Sequence, residues 1–446
     1  MKFSDIIIIG AGAAGLMAAS GAGNQNSGKD LSITILEKMP RPGRKIMITG
    51  KGRCNFTNLK DWNEFSGHIH PKPNLLKPAF HNLTSEKMMD FLNENGLETV
   101  VERGDRAFPA SHLSKDVVDA LVRAAKKGGA EILCEKEVTE IRAEENGREK
   151  FIIECADGST YCCNRLIITT GGLSYPTTGS TGDGYRWAKD FGITLRPCFP
   201  SLTAVVPKNY KTTPAEQSVQ MKGHIDRSTP LSEAGNMLKG IQLKNVGLCI
   251  SVDGNTVQEE FGDLDFTDGG IEGPIGFKIS RRCVNAIVNG SKVAVSIDLK
   301  PAVELNELEE RVSSLWKQIS EDRRSQGKQY KDKFNILLRK LLPYELVPGF
   351  MNSNPSADHK RLGKALKNWK FDIGGFVGYE RCVITAGGVS SDEITAKTLE
   401  SKKIQGLYFA GEILDLDADT GGYNLQIAFS TGYLAGMSAA KSIVQE

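Results

Sequence analysis

The sequence predicts an α/β fold, with a doubly wound sheet assembled from the two ends of the chain and interrupted by a β-rich insert and a small helical one. Three observations predict it. Residues 5–15 read DIIIIGAGAAG, an apolar β-branched run that ends in glycines and continues as LMAAS. Near the other end, GLYFAGE leads through ILDLDADTGG into the apolar stretch YNLQIAFSTG. Between them, from about 196 to 372, no such fingerprint occurs, and short alternating strands give way to helices. The expected division is therefore 1–195 with 373–446 as one discontinuous domain, 196–300 as the β-rich insert and 301–372 as the helical insert.

Each element follows from its residues. Four consecutive isoleucines suit a parallel strand buried on both faces. Gly10, Gly12 and Gly15 complete G-x-G-x-x-G: Gly10 permits the turn, and the backbone at Gly12, Ala13 and Ala14 can approach a diphosphate. Gly15 lets helix and strand meet closely. A second strand, SITILEK, ends in Glu37, about 20 positions past the last glycine, where an acid bonds a ribose hydroxyl, with Lys38 beside it. A Rossmann-like dinucleotide site is expected here.

The loop KMPRPGRKIMITGKGRCNFTN decides which dinucleotide. A nicotinamide dehydrogenase would proceed directly to another βαβ unit, whereas this long loop is rich in donors, including Arg44, Lys45, Gly50, Gly52 and Asn55. Arg44 and the glycines can follow a diphosphate, and Asn55 can reach a polar ring edge. A helix is expected over Ser114–Lys127, then a meander of AEILCE, KEVTEIRAE, KFIIECA, STYCC and NRLIITTGG. In this meander Val138 would present its backbone to an adenine, and Thr170, Gly171 and Gly172 would form a turn against the cofactor. Such a meander inserted in a doubly wound sheet is typical of the two-dinucleotide-binding-domain flavoproteins, so the expected cofactor is FAD.

The aspartates of ILDLDADTGG raise the question of calcium. An EF-hand loop needs Gly at position six and Glu at position twelve. Counted from Asp415 those positions are Thr420 and Gln426, so the calcium reading fails and no metal is expected. A strand ending in Gly411 and Glu412, then Gly421 and Gly422 opening a helix at Tyr423, Asn424 and Gln426, reads instead as a flavin-facing turn. The helix dipole would there stabilise negative charge on the reduced ring.

Within the insert, LTAVVP, IQLKNVGLCISVDGN and KVAVSIDL read as antiparallel strands. Leu305, Leu308, Val312, Leu315 and Ile319 fall at helical spacing as core positions. The run 323–370 carries twelve Lys and Arg against three acids, interleaved with Tyr330, Phe334, Tyr344 and Trp369. A charged helical surface is the plain reading of this run, and an RNA-binding face is the sharper one.

Composition bounds the rest. A chain with 40% hydrophobic residues and a formal charge of +2 has no global reason to bind nucleic acid or membrane. No apolar run approaches the roughly 18 residues of a membrane span. Nine cysteines show no framework spacing, and without CxxC no zinc site or redox dithiol is indicated, which favours a reducing, cytoplasmic setting. Cys54 has no partner cysteine a few residues on, so it is a packed thiol or at most a proton donor. Tyr175, His68, His70, His81 and His112 are the other candidate donors.

With both ends read, the chain resembles the bacterial flavoprotein family of BaiN/RdsA-type, aminoacetone oxidase-like enzymes. The resemblance rests on GRKIMITGKGRCNFTN, TTGGLSYPTTGSTGDGYRWA, ITAGGVSSDEI and TLESKKIQGLYFAGEILDLDADTGGYNLQIAFSTGYLAG, and covers nearly the whole chain. Lys51 stands where the family has a glycine, and Asp268 where its FTHxGISGP stretch has a histidine. The resemblance implies an FAD-dependent oxidoreductase working through flavin N5. The reaction placed first is reduction of an activated C=C bond of a small molecule at the expense of NAD(P)H. The alternatives are uridine reduction in ribosomal RNA, with the basic insert holding the RNA, and amine oxidation releasing peroxide. With one dinucleotide fingerprint in the chain, NAD(P)H would have to dock without a second Rossmann domain.

Overall fold

The computed structural model describes residues 1–25, 31–144, 150–212 and 223–445. Contacts divide the chain into two compact units, Met1–Phe199 with Val383–Glu446, and Pro200–Cys382.

The first unit is built on a seven-stranded sheet. Strand β1 (Lys2–Ile9) buries Ile6 to Ile9 and leads into helix α1 (Ala13–Gly23). Strand β2 (Ile33–Leu36) lies parallel to β1, with Ile6 opposite Ile33. Helix α2 (Ser114–Lys127) occupies the expected residues and returns the chain to β3 (Ala130–Leu133), which pairs in parallel with β2. The segment AEILCE is thus the outer strand of the dinucleotide sheet and no part of the meander. A helix between two strands of one sheet makes a crossover, and a crossover joins parallel neighbours.

The antiparallel excursion is shorter than expected. It comprises β4 (Val138–Ala143), β5 (Phe151–Cys155) and β6 (Thr160–Ile168). STYCC and RLII form one strand, because no glycine or proline separates them. The first half of β6 pairs with β5 and its second half with the strand Leu407–Phe409. On its other side β6 runs parallel to β1, with Ile9 opposite Ile168.

The C-terminal helix Tyr423–Gln445 closes the unit by lying directly on α1. A Cβ at Gly432 would come within 2.1 Å of the Ala14 carbonyl oxygen, and one at Gly436 within 1.8 Å of that of Ala18. Small residues on both helices allow this backbone-to-backbone contact, which brings the end of the chain to its first turn.

The second unit is a closed six-stranded antiparallel barrel. Around it run Val205–Pro207, Ile271–Glu272, Asn255–Phe266, Gln242–Val252, Val293–Asp298 and Trp369–Phe376. The last of these strands spans the expected boundary at 372, and the unit extends to Cys382. The helices Leu305–Glu321, Tyr330–Leu341, Leu346–Ser353 and Leu362–Lys367 share one apolar core with the barrel. Leu308, Val312 and Ile319 lie in that core, whereas Leu305 and Leu315 are half-buried. No described helix is long and apolar enough to cross a membrane.

Candidate functional site

The candidate site lies in the first unit, where β1 meets α1. Gly10 has φ +101°, and a Cβ there would stand 2.8 Å from the Thr169 carbonyl oxygen, so only glycine makes this turn. Gly12 differs: its backbone is extended, and a Cβ would meet no atom within 4 Å. The turn therefore faces open space, and α1 begins there without a side-chain cap. Its first-turn N–H groups, those of Ala13, Ala14 and Gly15 among them, form a positive end suited to an anion.

Glu37 closes the end of β2 onto this turn. Its carboxylate accepts from the amides of Ala11 at 2.7 Å and Met39 at 2.8 Å. Burial pushes the carboxyl above its usual range, against the pull of those two amides and of Lys38 and Arg44. Lys38 turns away, donating to Thr181 Oγ1 at 2.5 Å and Asp183 Oδ2 at 2.6 Å. Its side chain braces the 181–183 turn. Val138 opens β4 opposite Cys155, with its side chain buried.

The donor-rich loop splits between two tasks. Arg44 stands exposed on the short helix Arg44–Ile48. Lys45 reaches inward, with Nζ 2.8 Å from both Ser174 Oγ and Glu412 Oε2. Glu412 Oε1 accepts from Ser174 Oγ at 2.5 Å and from the Thr385 amide at 2.9 Å. Thr385 Oγ1 in turn accepts from the amides of Leu173 and Ser174 at 2.8 and 3.1 Å. Four segments distant in sequence meet at this knot, and Gly172 fits only because it lacks a Cβ, which would lie 2.5 Å from Thr385 Oγ1. Ser174 and Thr385 were not foreseen. The matching segments contain both, but no local pattern gives them this role.

Gly50, Lys51, Gly52 and Cys54, in the donor-rich loop, and Tyr175 all have positive φ. For Lys51 and the bulky Tyr175 this conformation is costly. Cys54 is completely buried, and burial pushes its thiol up to about 12, so it cannot serve as an accessible proton donor. Tyr175 is half-buried, next in sequence to Ser174.

At the C-terminal turn Gly411, Gly421 and Gly422 have positive φ, and a Cβ at Gly422 would lie 2.5 Å from the Thr57 backbone. The side chains of Tyr423, Asn424 and Gln426 hold the start of the helix in place. Tyr423 is buried, stacked on His68 at 4.4 Å and edge-on to Phe65 at 4.9 Å. Asn424 pairs through both amide atoms with the Ala418 backbone at 2.8 Å. Gln426 accepts from Thr57 Oγ1 at 2.6 Å and donates to the Leu83 carbonyl and Ser430 Oγ at 2.9 Å, with no exposed surface. A buried amide spends its groups on near neighbours.

Among the aspartates, Asp419 lies 2.9 Å from His68 Nδ1 and 3.7 Å from His70 Nε2. Burial raises its carboxyl, but the hydrogen bonds from the two histidines prevail and hold it at about 2. His81 packs on Trp62 at 5.8 Å, and His112 lies 3.0 Å from Arg53 Nη2, leaving His68 and His70 as the histidines beside the C-terminal turn.

These residues fit FAD. The uncapped helix end suits a diphosphate, and Glu37 keeps lone pairs for a ribose. The buried Asn55 Oδ1 and Thr170 Oγ1 have no hydrogen-bond partner within the protein.

Comparison with known proteins agrees. The model of the HI0933-like protein Rossmann domain matches residues 4–438. The chain is 30% identical to a ribosomal RNA dihydrouridine synthase of Escherichia coli, over 99% of this chain and 100% of that one. Identity is 29% to the Haemophilus influenzae protein of the same name, over 99% of both chains. It is 28% to a 3-dehydro-bile acid delta(4,6)-reductase of Clostridium scindens, over 97% of this chain and 98% of that one.

Proposed function

This chain belongs to the HI0933-like Rossmann-domain family and is an FAD-dependent oxidoreductase, and on that premise we propose that it reduces the C5=C6 bond of a uridine in ribosomal RNA. The observation that carries the reading is the basic surface of the second unit. Of the twelve Lys and Arg in 323–370, only Arg324, Arg361 and Lys367 meet a carboxylate among the described residues. Unpaired exposed cations in that number are what a polyphosphate backbone attracts.

Bound FAD supplies a hydride at N5. The chain supplies position and a proton. The α1 N-terminus with Gly12 would hold the diphosphate, Glu37 the ribose, and the Val138 backbone the adenine. The Lys45–Glu412 knot, with Gly171 and Gly172, would fix the wall against the ring, and Asn55 would bond its polar edge. Reduction of uridine needs a proton at C5 after hydride addition at C6. We assign it to His68: Asp419 accepts from Nδ1, which leaves Nε2 to hold the proton and give it up. NAD(P)H is the proposed reductant, docking without a Rossmann domain of its own.

The test is the rRNA of a strain lacking the gene, digested to nucleosides before and after treatment with the purified enzyme and NAD(P)H. Dihydrouridine should appear only after treatment, and its absence in the presence of active flavin would reject the reading. Reduction of a conjugated bond in a steroid-like acid is the second reading, favoured by the match to the bile acid reductase.

A further inference from the structure

We propose that a cavity of about 320 Å³ in the second unit is a docking site for one unpaired nucleotide of RNA. This rests on the RNA reading above and adds to it a place and a mode of capture. The cavity lies between the helices Tyr330–Leu341 and Leu346–Ser353. Phe334, Val347 and Met351 give it an apolar wall, and Lys331, Arg339 and Tyr344 a polar rim. Lys331, Asn335 and Arg339 follow one another at four-residue spacing along the first helix, and Phe334 lies three residues after Lys331.

Two features select a nucleotide. The first is charge: no carboxylate lines the cavity, and neither Lys331 nor Arg339 meets one within the described residues. The second is the aromatic ring of Tyr344, which is 64% exposed although the core would gain by covering it. The Arg339 guanidinium lies over one face of that ring, 4.6 Å from its centre. The pair is a cationic stacking platform that a base can extend. The volume is at the low end of ligand cavities, about 300 Å³, enough for one nucleotide and too little for a duplex. Lys331 then meets a flanking phosphate. An acidic peptide would use the cations but has no need of the platform.

The experiment measures binding of a labelled single-stranded oligouridylate to the FAD-loaded full chain across a salt series, with flavin content and melting temperature checked for every variant. The variant Lys331→Gln should flatten the plot of log affinity against log salt by about 0.7, the loss of one phosphate contact on a single strand. Tyr344→Leu should weaken binding about tenfold with the slope unchanged. Wild-type slope and affinity in all variants would overturn the site, as would polyglutamate bound equally well through the same residues. The enzymatic reading fails separately: if the wild-type enzyme makes no dihydrouridine but binds oligouridylate through these residues, the site stands and the reaction falls. If the variants bind normally while the wild type modifies rRNA, the reverse holds.

Discussion

Replacing Gly12 by Ala should separate cofactor binding from folding. At Gly12 φ is −82°, which alanine adopts freely, and the new Cβ meets no protein atom within 4 Å. The loss of an N-cap glycine and the stiffening of the unfolded chain oppose each other, each by under about 1 kcal/mol. The unliganded protein should therefore melt within a few degrees of wild type. On the proposed placement of the diphosphate, the methyl group would stand between it and the first turn of α1. Displacing it forfeits at least one hydrogen bond to a charged group, about 1.5–3 kcal/mol, and part of the helix-end attraction, about 0.3–1 kcal/mol. Taken together this is about 3 kcal/mol, on the order of a hundredfold in Kd. Flavin fluorescence titration of deflavinated protein reads the affinity, and calorimetric melting reads the fold. Gly10→Ala is the contrast, because its strained φ and the 2.8 Å approach to Thr169 should damage the fold itself. Wild-type FAD affinity in Gly12→Ala, with the fold intact, would refute the placement of the diphosphate.

Lys51→Gly should stabilise the protein by about 0.5–1 kcal/mol. It removes a left-handed lysine costing ~1–2 kcal/mol and adds ~0.5–1 kcal/mol of glycine entropy; urea denaturation checks the sum. Asp419 has its carboxyl depressed in the fold, so its stabilisation is complete above the ordinary aspartate range and is lost as pH falls toward about 2. Against an unfolded value near 3.8 this amounts to about 2 kcal/mol, and a pH series of melts should show Asp419→Asn lacking that part of the acid dependence. Cys54→Ala should cost roughly 1 kcal/mol of stability while leaving turnover per bound flavin unchanged, because the thiol has no exposed surface.

What could be read from the sequence was local. The isoleucine run, the glycine fingerprint and Glu37 declare themselves within forty residues, and the helix Ser114–Lys127 is announced by its apolar spacing and terminal glycines. The assignment of AEILCE failed because a short apolar strand carries no mark of which neighbour it pairs with; the preceding helix carried that mark. That Tyr423, Asn424 and Gln426 would spend their side chains on His68, Ala418 and Leu83 could not be read from the motif, because each of those partners is set by the fold. Ser174 and Thr385 were missed for the same reason: they acquire meaning only when they meet each other, 211 residues apart, beside Glu412. Nothing in composition changes at 372, where a barrel strand runs through the expected boundary.

The most direct test mixes enzyme whose flavin has been reduced, under anaerobic conditions, with rRNA from a strain lacking the gene. The absorbance of oxidised flavin should return, and dihydrouridine should form in equal amount. Flavin that stays reduced before rRNA, yet is promptly reoxidised by a conjugated steroid-like acid, would contradict the RNA reading.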